Sequence, residues 1–361
     1  MRVVRDESSW MAYRDRELQR ILPVLTQFGF DLDKIQPHLG GERFLGSADK
    51  LVLVGKRVAD NKPVIIKLSS ELTGKAELNR EHAIRTALAR HASSHDLLAP
   101  ETLLFTDSGG NRVLVSEYLT QDQNFASRPL EEQFRLALTA FEAQGRILLD
   151  SPSSETLRDV LPIVESPDYM RSFAGFVERT MAQGDPRAAL TLLLRKAARF
   201  LDQNRDALGR DCGVLAHSDF VPHNFRVVSG KIYFLDHASF LFGNRYESWA
   251  RFTNNMTSRN RALESMLLDH VRVTRGPDAY LGLRLMRVYK LGFLLALVAN
   301  AVDVTSGDLH VLSKLRMDFY AALLDAVLGD FQLSESFVTS HIRSNDELRS
   351  LDEKRRRDVI Q

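Results

Sequence analysis

Residues 215–243 read LAHSDFVPHNFRVVSGKIYFLDHASFLFG, and the rest of the chain is best read outward from them. His217, Asp219 and Asn224 form an H-x-D-x-x-x-x-N arrangement, and Asp236 stands twelve residues after Asn224. At this chain's composition the H-x-D-x-x-x-x-N spacing should occur by chance about 0.03 times. Two β-rich runs, Phe225–Val228 and Ile232–Leu235, flank Ser229-Gly230, a hairpin signal. A hairpin brings its ends together, so Asn224 and Asp236 are expected side by side. Amide and carboxylate oxygens are hard ligands of the kind Mg²⁺ takes alongside phosphate oxygens. Asp219, just upstream, could orient a hydroxyl and accept its proton. Phosphoryl transfer needs this combination, charge neutralisation plus alignment of an acceptor with the γ-phosphate, and little covalent help.

Upstream, residues 40–69 read GGERFLGSADKLVLVGKRVADNKPVIIKLS, two β-rich runs about a polar Asp60-Asn61 turn. A helix is expected from Lys75 to His91, with Leu78, Ile84 and Leu88 on one side. Strands are expected at Thr102–Thr106 and Val113–Glu117, separated by DSGGN. Residues 8–28 also read as a helix. After Leu119 the pattern turns helical: Pro129 to about Leu149, Pro186 to Leu208, and Tyr246 to about Ile342. The expected fold is therefore α+β, with a small β-rich lobe and a larger, mainly helical one. The boundaries fall at 1–36 for an N-terminal helical extension, 37–119 for the β-rich lobe, 120–345 for the helical lobe, and 346–361 for a charged tail. A cleft between two lobes is a favoured ligand site.

Composition narrows the partners. Forty-eight Lys+Arg against 47 Asp+Glu leave a formal charge of +1, which argues against general binding to nucleic acid or an anionic membrane. The single cysteine, Cys212, excludes an intramolecular disulfide framework and reads as a small buried residue. His82, His91 and His95 bring no partner set for zinc. The opening MRVVRDESSW carries charge where a signal peptide needs an apolar stretch. The run Leu291–Ala299 is followed by Asn300 and Asp303 and reads as a buried helix, not a membrane span. A cytoplasmic protein is expected; composition does not address its oligomeric state.

The segment His217-Ser218-Asp219-Phe220-Val221-Pro222-His223-Asn224, with Leu235-Asp236 beyond the hairpin, resembles the H-G-D-x-x-P-x-N and I-D signature of the aminoglycoside phosphotransferase and choline kinase-like family, within the protein-kinase-like superfamily. The resemblance covers about residues 40–250. It implies a bilobal kinase-like fold that uses ATP or GTP with Mg²⁺ to phosphorylate a hydroxyl of a small molecule: a sugar, an amino alcohol or an aminoglycoside-like antibiotic. On that pattern Asp219 is the catalytic base, His217 braces the catalytic loop, and Asn224 and Asp236 hold the metal. Lys67 contacts the α- and β-phosphates with Glu81 as its helix partner, Glu77 being the fallback. Gly46 and Ser47 lie in the turn that covers the phosphates with backbone N–H groups. Glu117 and Leu119 are the hinge residues whose backbone pairs with adenine.

Each feature also has an ordinary explanation. A strand lysine usually points to solvent, Glu81 and Arg85 could be an exposed i,i+4 pair, and Asp219 and Asn224 could merely cap turns. The ordered set weighs against these. Ser218 replaces the family's glycine, and Glu247 is read as standing where an aspartate accepts hydrogen bonds from the catalytic loop. Only ten residues separate Asp236 from Glu247 and no A-P-E follows, which disfavours a protein substrate. The competing readings are a non-catalytic nucleotide-binding scaffold and, behind it, a protein kinase.

Overall fold

The computed structural model describes residues 7–39, 45, 49–91, 95–181, 188–351, 353 and 354. Its first region is built on an antiparallel sheet of five strands in the order β1-β2-β3-β5-β4: β1 (Phe30–Leu32), β2 (Leu51–Arg57), β3 (Pro63–Ser69), β4 (Thr102–Ser108) and β5 (Asn111–Glu117). The Asp60-Asn61 turn forms as expected. Asn61 takes a left-handed φ of 57°, which asparagine tolerates, and Arg57 Nε donates to Asp60 Oδ1 at 2.9 Å. Gly55 lets β1 approach: a Cβ there would lie 2.3 Å from the Asp31 carbonyl oxygen.

Two helices sandwich this sheet. Helix α1 (Glu7–Gln27) lays Trp10, Tyr13, Ile21 and Leu25 against Leu51, Leu53, Val64 and Ile66 in one apolar cluster. With β1 paired to β2, α1 and β1 both pack onto this sheet. Helix α2 (Leu72–Arg90) turns Leu78, Ile84 and Leu88 inward, and Glu81 sits wholly buried among them.

The second region is mostly helical: α3 (Leu130–Gly145), α4 (Ser166–Met181), α5 (Ala188–Gln203), α6 (Glu247–Met256), α7 (Arg261–His270), α8 (Pro277–Val304), α9 (Gly307–Gly329) and α10 (Glu335–Leu348). Helix α8 starts with proline at its first turn, where the missing N–H costs nothing. It is long and apolar enough to cross a membrane, yet 72% of its apolar window is buried inside the protein. It is the central helix of this lobe, packed against α4, α6 and α9. The helix expected over 186–208 breaks at Asn204 into α5 and a short turn, Arg205–Arg210.

Four short strands interrupt the helices. The hairpin β7 (Phe225–Val228) and β8 (Lys231–Phe234) closes through Ser229 and Gly230, both at positive φ. Around it, β6 (Val214–His217) pairs antiparallel with β9 (Phe240–Gly243), His217 opposite Phe240. The chain therefore enters the 218–224 loop from one strand and leaves the Asp236 turn through that strand's partner. Of the tail, residues 355–361 lie outside the described residues.

Candidate active site

Two lysines reach the cleft from the small lobe. Val52 pairs with Lys67 across β2 and β3, so the two share a sheet face, and Lys50, two residues before Val52, falls on that face too. Lys67 Nζ donates to Glu81 Oε1 at 2.5 Å, and Arg85 Nη2 reaches the same oxygen at 3.1 Å. All three side chains are largely buried, so this is neither a solvent lysine nor an exposed helix pair. Glu77, one turn earlier on α2, takes a different partner: Lys50 Nζ donates to its Oε1 at 2.6 Å. Burial works against the Lys50 charge, but Asp236, Glu77 and Glu81 outweigh it and lift its pKa above the ordinary lysine range. Lys50 was not legible as a side-chain participant. Its turn is pinned by Asp49, whose carbonyl accepts from Tyr13 Oη at 3.2 Å and from Ser69 Oγ, while its carboxylate accepts from Thr73 Oγ1. Gly46 and Ser47 lie outside the described residues.

The opposite wall is the 217–239 segment. Leu235 N–H donates to the Asn224 carbonyl at 3.0 Å, so the hairpin sets the residues that follow its two strand ends side by side. Asn224 Nδ2 donates to Asp219 twice, to the backbone oxygen at 2.8 Å and to Oδ2 at 2.9 Å, which fixes the orientation of its amide. Asp236 Oδ2 accepts from Ser239 Oγ at 2.7 Å, while its Oδ1 is buried without a hydrogen-bond partner. A buried, unpaired carboxylate oxygen is costly unless something positive meets it. Burial alone would raise the Asp236 pKa, but Lys50 and Lys67 pull it far below the usual carboxylate range. Among the described residues no group of three or more His, Cys, Asp and Glu could hold a metal. Asn224 and Asp236 instead offer two oxygens, which suits Mg²⁺ completed by phosphate and water.

Asp219 keeps 41% of its side chain open. Its Oδ1 accepts from Arg251 Nε on α6 at 2.7 Å, a partner that sequence reading missed. Burial raises its pKa, but Arg251 and His223 prevail and hold the carboxyl below its ordinary value. It is therefore a carboxylate at neutral pH, aimed by one arginine and one amide.

His217 is wholly buried, its ring centre 4.8 Å from that of Phe240. Burial lowers its pKa, which keeps the ring neutral. Its backbone N–H donates at 2.8 Å to both Gln144 Oε1 and Ser248 Oγ, and Ser248 Oγ donates to Gln144 Oε1 at 2.6 Å. The α6 side chain that accepts here is thus Ser248, not Glu247. Glu247 faces the other way, into the helical core. There its Oε1 accepts from Lys290 Nζ at 2.5 Å and its Oε2 accepts from the Tyr169 hydroxyl. At the interlobe strand, Glu117 N–H donates to the Glu101 carbonyl at 3.0 Å and Tyr118 N–H to that of Pro63 at 3.2 Å. Leu119 follows β5 and is half-buried.

No family model matches the sequence, and neither does any curated protein. Among solved structures, the chain is similar to a thermostable mutant of aminoglycoside phosphotransferase APH(4)-Ia, with TM-score 0.58 and 16% identity over 85% of this chain and 97% of that one. The GDP complex of aminoglycoside 2'-phosphotransferase-IIIa gives TM-score 0.60 and 13% identity over 85% and 98%. Macrolide 2'-phosphotransferase MphH from Brachybacterium faecium gives 0.52 and 14% over 86% and 98%. The fold is protein-kinase-like. In this fold the two walls described above face one another across the interlobe cleft, with the lysine–glutamate pairs on one and the 217–239 segment on the other.

Proposed function

We propose that the protein is a Mg²⁺-dependent phosphotransferase that moves the γ-phosphate of ATP or GTP to a hydroxyl of a small molecule. One observation carries this reading: Asp219, Asn224 and Asp236 converge on one side of a cleft, and the Lys67–Glu81 pair stands on the other. Asp219 orients the acceptor hydroxyl and receives its proton. Asn224 and Asp236 hold Mg²⁺, which when bound neutralises phosphate charge. Lys67, fixed by Glu81, steadies the α- and β-phosphates. His217 braces the loop from behind, and the backbones of Glu117 and Leu119 border the base.

The acceptor side agrees with a small molecule. A small opening of about 50 Å³ beside the loop is lined by Gln121, Phe125, Gln133, Pro222, Arg259 and Asn260, among others. Its lining offers amides, apolar surface and one arginine. Proteins of this fold have been crystallised with ADP and hygromycin B, and with GDP and kanamycin. The test is transfer of labelled γ-phosphate to a panel of hydroxyl compounds. Asp219→Asn should lower turnover by about 10²- to 10⁴-fold with nucleotide affinity unchanged. A protein that binds neither Mg·ATP nor Mg·GTP would defeat the proposal.

A further inference from the structure

The cleft holds more positive charge than one lysine explains. Lys50 and Lys67 lie on one face of the sheet, in adjacent strands. Each is held by its own glutamate, Lys50 by Glu77 at 2.6 Å and Lys67 by Glu81 at 2.5 Å. Glu77 and Glu81 are four residues apart on α2, so they sit one above the other on the same face of that helix. Both lysine side chains are mostly shielded, with 17% and 13% exposure. Asp236 on the facing segment keeps a buried oxygen that no hydrogen bond satisfies.

We infer that Lys50 is a second phosphate-binding cation, which with Lys67 forms a two-lysine clamp on the nucleotide's phosphate chain while Glu77 holds it ready. The inference rests on the phosphotransferase reading above. A single surface salt bridge would need none of this apparatus. The Asp49 anchors to Tyr13, Ser69 and Thr73 fix the backbone beside Lys50, and Glu77 holds the ammonium group itself. A lysine ammonium has three donors. After one goes to Glu77, two remain for phosphate oxygens, and the strong charge-assisted hydrogen bonds they make favour phosphate over water.

Calorimetric titration with Mg·ATP and with AMP tests this. Lys50→Met should weaken ATP binding by about 10- to 100-fold, the loss of one hydrogen-bonded charge. It should leave AMP within about threefold, because the base and first phosphate do not depend on Lys50. Lys67→Met provides the parallel case, Lys50→Arg should restore most of the affinity, and Glu77→Gln should preserve it. Circular dichroism and melting temperature check that each variant folds. Equal weakening of ATP and AMP by Lys50→Met, or no weakening of either, overturns the clamp. Failure of the unaltered protein to bind either nucleotide would instead defeat the phosphotransferase reading itself.

Discussion

Lys290→Met removes the ammonium group that faces Glu247 in the middle of the helical lobe. The two side chains are only 7% and 3% exposed and their charged atoms lie 2.5 Å apart, so solvent screens them little. At an effective dielectric of about 20 the attraction is roughly 7 kcal/mol, most of it offset by the cost of desolvating two ions. The intact pair is therefore worth little against an apolar pair of the same shape. Removing one partner is different, because Glu247 would be left charged and buried, a loss of about 3–5 kcal/mol. With an unfolding entropy of roughly 2 cal/mol/K per residue, that lowers the melting temperature by about 4–7 °C for this length of chain. Differential scanning calorimetry measures the loss. Adding Glu247→Gln should recover at least half of the loss. A deficit below about 1 kcal/mol, or no recovery in the double variant, would refute this account of the pair.

Two further outcomes follow from groups outside that pair. His341 on α10 stacks on Phe319 at 4.0 Å, and burial, with Arg316 and Arg349 nearby, lowers its pKa to about 4. The folded state therefore resists its protonation, and stability present above pH 6.5 should fall as pH drops from there toward 4; His341→Phe should flatten that slope in acid melts. Ser248→Ala removes one of two acceptors from the His217 N–H and one donor from Gln144, so it should cost about 1 kcal/mol of stability. It should also lower turnover more than it alters nucleotide affinity, which separates loop positioning from simple destabilisation.

The parts of the site that could be read from sequence were those that local chemistry dictates. Ser229-Gly230 can be little but a tight turn, so the approach of Asn224 to Asp236 followed from spacing alone. Glu81 stood out because a carboxylate between Leu78, Ile84 and Leu88 requires a buried partner. Other features depend on contacts remote in sequence. Strands β6 and β9 pair across more than twenty residues and are buried on both faces, so neither shows the alternation that marks a strand. Arg251 reaches Asp219 from the far side of α6, one of several arginines with nothing in its neighbours to distinguish it. Glu247 drew attention because it stands where the resembled family carries an aspartate, yet its carboxylate meets Lys290 and Tyr169, and the adjacent Ser248 meets the loop. Helix α1 announced itself by periodicity, but only the packed structure reveals that it covers the small lobe's sheet.

Glu77 and Glu81 ride on a single helix, and that helix also packs against the His237–Ser239 turn that follows Asp236. A rigid rod attached at three points cannot adjust one of them alone. Sliding α2 along its axis or swinging it outward would uncouple Lys50 and Lys67 together while withdrawing support from the turn next to Asp236. The helix is thus a lever whose position sets the whole cleft at once, and whatever presses on its outer surface acts on the lysine pairs and the Asp236 turn in the same stroke.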